Sequence, residues 1–156
     1  GNDILNHIPN LKHILLPINW IGKITKQQTI NIVNAFKSDK QIILFPAKEV
    51  SKLGFSGIKD KKWHPFFIKK SKQFNRDIVP VFIAGRNSFL FYLTSTIRSL
   101  FKLKFNVEMF LLIHEVFNKK DQLIQLKFGK PISYKSLLKK DLFLEADKIQ
   151  TSTYLL

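Results

Sequence analysis

The chain alternates short apolar runs with lysine-rich polar stretches, and the spacing within each run predicts its element. Ile14 to Ile18 (ILLPI) is short and interrupted by Pro17, so it reads as a strand at a sheet edge or a strand end. Thr25 stands in an N-cap position, with Gln28 three residues on in the capping-box position. Ile30, Val33, Ala35 and Phe36 follow at helical spacing, and the helix is expected to run to about Lys37. Gln41 to Phe45 is a second strand pattern, stopped by Pro46. Strand, helix, strand in so short a span predicts a crossover unit and a sheet that is at least partly parallel.

Further on, Lys62 to Phe74 sets aromatic residues at 63, 66, 67 and 74 against lysines at 62, 69, 70 and 72. This predicts an amphipathic helix entered through Pro65 near its first turn. Ile78 to Ala84 reads as a third strand, and Gly85-Arg86-Asn87-Ser88 as the turn after it. Phe89 to Ile113 is the most apolar part of the chain, yet Arg98, Lys102, Lys104 and Glu108 break it, and each is costly at a bilayer centre. The segment is therefore not a transmembrane helix. It reads as core or as an interfacial face, and one helix can serve both.

His114 to Phe117 and the alternating Leu123 to Phe128 flank a short polar loop, which predicts a β-hairpin closed by Gly129-Lys130-Pro131-Ile132. Ser133 is placed to cap a last helix through about Lys139. The tail from Asp141 is helical in its first part. The sum is an α/β fold, a mixed, partly parallel β-sheet flanked by helices. No repeat or linker interrupts it, so residues 1–156 are expected to form a single domain.

Composition narrows the partners. Lys and Arg number 26 against 11 Asp and Glu, a net charge of +15, which predicts attraction to an anionic membrane surface or to nucleic acid. Lysine supplies most of the excess, and a lysine field suits the bidentate reading of bases poorly, so no specific nucleic acid is expected. With no cysteine in the chain, disulfide frameworks and cysteine-based metal or redox sites are excluded.

Chemistry concentrates in Gln41 to Asp60, a strand pattern that ends at Pro46 and opens into a loop bearing Lys48, Glu49, Ser51, Lys52, Gly54, Ser56, Gly57 and Lys59. Such strand ends are where α/β proteins often place their sites, although any strand can end in a polar loop. Gly85-Arg86-Asn87-Ser88 is a turn by default, and Arg86 beside two small polar donors just after a strand is the alternative, a phosphate-holding site. None of the four histidines has metal-ligand spacing, and no nucleotide loop or nucleophile elbow occurs. Neither a metal nor a cofactor is expected.

Taken in order, Phe45-Pro46-Ala47-Lys48-Glu49-Val50-Ser51-Lys52, Gly57-Ile58-Lys59-Asp60 with Trp63, Ile78-Val79-Pro80-Val81, Gly85-Arg86-Asn87-Ser88, Phe91-Tyr92, His114-Glu115-Val116-Phe117 and Gly129-Lys130-Pro131-Ile132 resemble the lysophospholipid acyltransferase superfamily. The likeness covers roughly residues 3 to 133. It is nearest to the hemolysin-like bacterial branch that includes ornithine-lipid-type O-acyltransferases.

The resemblance implies transfer of a fatty acyl group from an acyl carrier protein or coenzyme A thioester to a lyso-lipid acceptor. It implies acceptor binding by Asn19, Glu49, Ser51, Lys52, Arg86 and Asn87, and a peripheral place on the cytoplasmic face of the cell membrane. In that superfamily an upstream His-x4-Asp motif supplies the general base and its orienting carboxylate. Here His7, His13, His64 and His114 meet Lys12, Ile18, Lys69 and Lys119 five positions on. No catalytic residue is therefore assigned, and the chain is expected to be the C-terminal part of an acyltransferase domain, inactive alone.

Two further departures stand out. Lys48 replaces the branch's glycine, which brings a charge into the loop and leaves the turn there open. His114 replaces its arginine before Glu115. A reading from another class is a non-catalytic basic module that binds anionic lipid surfaces or nucleic acid.

Overall fold

The computed structural model of the protein describes residues 10, 14–16, 25–54, 57–101, 108–138 and 140–156. The chain divides into two compact units, Gly1–Phe45 and Pro46–Leu156. In the first unit, α1 spans Lys26–Lys37. Its capping box is complete: the Gln28 N–H donates to Thr25 Oγ1 at 3.2 Å, and the Gln28 side chain accepts from the Thr25 N–H at 3.0 Å. Ile32 and Phe36, four apart on one face, are the buried residues of α1, while Ile30 is half exposed. The buried stripe thus lies to one side of the expected one.

Gln41 to Phe45 is not a strand. An apolar run becomes a strand only where a neighbour completes its ladder, and among the described residues it has none. Ile43 and Phe45 are accordingly exposed. Of the Ile14 to Ile18 run, residues 14–16 form no strand, and Pro17, Ile18 and Asn19 lie outside the described residues.

The second unit holds the remaining elements: β1 Lys52–Gly54, β2 Gly57–Lys59, α2 Phe66–Phe74, β3 Val81–Ala84, α3 Phe89–Leu100, α4 Glu108–Asn118, β4 Gln125–Phe128 and α5 Leu142–Tyr154. It is α/β, but both described sheets are two-stranded and antiparallel, β1 with β2 and β3 with β4. No parallel pair occurs among the described residues. α2 begins after Pro65 and ends on Asn75 in the left-handed conformation that asparagine tolerates. Ile68, fully buried, anchors it.

β3 pairs with β4 in the register Val81–Phe128 to Ala84–Gln125, and Ile78 and Ile132 extend the pairing through reciprocal backbone bonds of 2.9 and 2.7 Å. The expected hairpin is therefore wrong in its first arm. Leu123 to Phe128 does contain a strand, but its partner lies about forty residues upstream rather than at His114 to Phe117, which belongs to α4. Glu115 decides the matter physically. It is buried and hydrogen-bonded to Ser88, which fixes this segment as a helical turn against the loop before α3.

The helix expected from Ser133 reduces to a single turn, closed by the Ser136 N–H on the Ser133 carbonyl at 3.0 Å. The carbonyls of Leu137 and Leu138 instead accept from Lys72 Nζ at 2.9 and 3.0 Å, and Leu137 is buried. α5 follows, capped by Asp141 accepting from the Leu144 N–H at 2.9 Å, and it packs against α2 and β3.

Candidate functional site

Two loops of the second unit border one open groove of about 1100 Å3. Ser51 and the β1–β2 hairpin stand on one side; Arg86, Asn87 and Ser88, just after β3, stand on another. Leu53, Ile58, Ile83, Leu123 and Ile124 give the groove an apolar lining.

The first loop is held by a polar lattice. Glu49 pairs with Lys61 at 2.6 Å and with Lys52 at 3.1 Å. The hydrogen bond from Lys61 lowers its carboxyl pKa, assisted by Lys52 and opposed by partial burial. Ser51 Oγ donates to Asp60 Oδ1 at 2.5 Å, and the Trp63 indole N–H donates to Asp60 Oδ2 at 3.2 Å. The loop is then tied to α5. The Asp60 N–H donates to Tyr154 Oη at 3.0 Å, the Trp63 N–H to Gln150 Oε1 at 3.1 Å, and Gln150 Nε2 to the Lys61 carbonyl at 3.1 Å. Tyr154 also meets Phe82 of β3 edge-on at 6.0 Å, and burial raises its phenol pKa.

Lys48 resolves the turn left open by its exchange for glycine. Its φ is 65°, the left-handed region that glycine occupies freely. A lysine here carries a conformation that glycine adopts without strain. The Lys48 charge also reaches His64, whose pKa is lowered by burial first and then by Lys48 and Lys69.

The second loop is held from within. The Asn87 N–H donates to Tyr92 Oη at 3.1 Å, and the Ser88 N–H to Glu115 Oε2 at 2.8 Å. Ser88 Oγ donates to Glu115 Oε1 and accepts from the Phe91 N–H at 3.3 Å, which caps α3. Lys119 Nζ donates to the Arg86 carbonyl at 2.5 Å. These bonds use the loop's backbone and leave the Arg86 guanidinium without an ion-pair partner among the described residues.

Of the residues expected to bind acceptor, Ser51, Arg86 and Asn87 thus border one groove. Glu49 and Lys52 stand beside it, bound to each other and to Lys61, and Asn19 lies outside the described residues. Asp60 entered the sequence reading only within the Gln41 to Asp60 stretch and its Gly57-Ile58-Lys59-Asp60 motif, with no role, and Gln150 and Tyr154 did not enter it. The tail gave no signal, because Tyr154 lies ninety-four positions from its partner. His64 faces Phe143 edge-on, and no cluster of three metal-ligating side chains occurs among the described residues.

A family model described as acyltransferase matches residues 1–156. The chain is 37% identical over 135 residues to a lyso-glycine lipid O-acyltransferase of Bacteroides thetaiotaomicron, covering 86% of this chain and 50% of that protein. It is 34% identical over 135 residues to a lyso-glycine lipid O-acyltransferase of Phocaeicola vulgatus, covering 86% and 48%. The chain therefore spans about half the length of these curated relatives. No solved structure matches it. On the family match and both identities, the chain belongs to the acyltransferase family.

Proposed function

We propose that this chain is the acceptor-binding part of an enzyme that transfers a fatty acyl group from an acyl thioester to the hydroxyl of a lyso-lipid. The acyl carrier is an acyl carrier protein or coenzyme A, and the relatives' names make lyso-glycine lipid the first acceptor to test. The observation that carries the reading is the groove itself, an apolar trough bordered by Arg86, which has no ion-pair partner among the described residues. A lyso-lipid is a hydrocarbon chain with a polar head. The trough suits the chain, and a guanidinium suits an anionic head through bidentate bonds. Ser51 and Asn87 add hydrogen-bonding groups, and Glu49 with Lys52 positions the first loop.

Acyl transfer needs a base on the acceptor hydroxyl. None of the four histidines has an aspartate five positions on, so the reading gives these 156 residues acceptor binding and leaves the base to another part of the enzyme. The enzyme works as a peripheral protein on the inner face of the cell membrane, drawn there by its net charge of +15.

The test is lyso-lipid binding by the purified chain and by Arg86→Ala, alongside an assay for acyl transfer from a thioester. Saturable binding, weakened by the substitution and without transfer, is expected. Transfer by the chain alone overturns the assignment of its part. Salt-sensitive RNA binding without lipid binding favours the non-catalytic basic module instead.

A further inference from the structure

α3 is built the wrong way round for a helix facing water. Its inward side carries Phe91, Tyr92 and Ser95, all buried. Its outward side carries Phe89, Leu90, Leu93, Ile97 and Leu100, each at least 40% exposed, and Phe101 just beyond the helix continues the row. These positions fall on one stripe at three- and four-residue spacing. α4, which packs against α3, repeats the pattern: Ile113, Val116 and Phe117 are exposed at i, i+3 and i+4, while Glu115 is buried.

The charges in the sequence from the loop before α3 up to α4, which opens on Glu108, have one sign. From residue 85 to 107 the sequence contains Arg86, Arg98, Lys102 and Lys104 and no Asp or Glu. On α4 the buried Glu115 is engaged by Ser88. No described helix is long and apolar enough to cross a membrane. An exposed apolar face with Arg86 before it, Arg98 on α3 and no exposed acidic side chain among its described residues matches the boundary between the headgroups and acyl chains of an anionic bilayer. It matches a second copy of this chain poorly, because cations would then face cations across the contact. Phe89 and Tyr92 of α3 also line the groove, so a bilayer seated on this face meets the groove's edge.

We propose that the outer faces of α3 and α4 form a lipid-docking surface. They lie in the interface of an anionic leaflet and bring the groove to the plane where a lyso-lipid resides. This deepens the acyltransferase reading and rests on it only for the identity of the lipid taken up.

The chain has no cysteine, so Leu93→Cys and Phe117→Cys each provide a single site for an environment-sensitive fluorophore, with Leu144→Cys on exposed α5 as the control. Vesicles of phosphatidylcholine made anionic with phosphatidylglycerol should blue-shift the label at 93 and 117 and leave it unchanged at 144. Raising salt should weaken the response. Leu93→Glu combined with Phe117→Glu should lower co-sedimentation with these vesicles at least tenfold, with circular dichroism unchanged.

Absence of a shift at 93 and 117 overturns the proposal, whether or not the chain sediments with vesicles. So does a shift that appears without vesicles as protein concentration rises, which marks a second copy on this face. Insertion without lyso-lipid binding keeps the docking surface and removes the acceptor reading; lyso-lipid binding without insertion does the reverse.

Discussion

The carboxylate of Glu115, buried in α4, accepts both the backbone N–H and the hydroxyl of Ser88. That pairing joins the loop holding Arg86 and Asn87 to a helix about thirty residues away. Ser88→Ala removes one donor from a buried charge and the cap of α3, so it should cost about 1–3 kcal/mol. Glu115→Ala should cost at least as much, and the double variant less than the sum, because each single change strands the other partner. Urea unfolding of the four proteins checks this; simple additivity would show that the two residues act separately.

Arg86 and Glu49 should behave differently although both stand at the proposed site. Arg86 has no ion-pair partner among the described residues, so Arg86→Ala should leave the melting temperature nearly unchanged and weaken lyso-lipid binding. In a protein that also supplies the catalytic base, it should raise the acceptor's KM more than it lowers kcat. Glu49→Ala frees Lys52 and Lys61 and should disturb loop order and binding together. Equal losses of stability and binding for Arg86→Ala would make it a structural residue.

Tyr154 holds Asp60 from across the unit. Tyr154→Phe removes an acceptor from the Asp60 N–H and should cost about 1 kcal/mol. Asp60→Ala, which strands Ser51 and the Trp63 indole as well, should cost more. Hydrogen exchange should then quicken across the loop that carries Ser51. Unchanged exchange there would mean that α5 does not order the loop.

Lys48 bears a left-handed φ that costs an L-residue about 1 kcal/mol and glycine little. Lys48→Gly should therefore be neutral or stabilising by up to about 1 kcal/mol, since glycine's extra unfolded-state entropy offsets part of the relief. Lys48→Val should destabilise. Removing the charge should also raise the His64 pKa, because Lys48 is among the causes that lower it. An NMR titration that leaves His64 unmoved in Lys48→Gly contradicts this coupling.

Acid should weaken the second unit in two stages. Folding lowers the His64 pKa below its ordinary 6.5, so between the two values the unfolded chain binds more protons, and stability falls as pH drops through that window. Glu49 is likewise lowered from 4.5; its contribution is present above that value and is lost as pH falls through the folded pKa. Thermal melts of the protein and of His64→Ala between pH 7 and 5 should converge as pH falls. Parallel curves would assign the loss to other groups.

The elements that the sequence determined are those whose signals are local. Thr25 and Gln28 close a capping box within one turn, Pro65 starts α2, and the Ile78 to Ala84 run becomes the β3 region because its alternation and its proline are written in adjacent residues. The family likeness likewise pointed to the segments carrying Ser51, Arg86 and Asn87, which border the groove. What the tertiary structure alone decided was partnership. A strand pattern does not name its partner, so Leu123 to Phe128 paired with β3 rather than with the segment next to it, and Gln41 to Phe45 stayed unpaired among the described residues. Nor does a polar side chain name the backbone it will satisfy. Donors and acceptors take the partners that folding brings nearest in space, which are often remote in sequence, as where Lys72 holds the Leu137 carbonyl and Tyr154 holds the loop of Asp60.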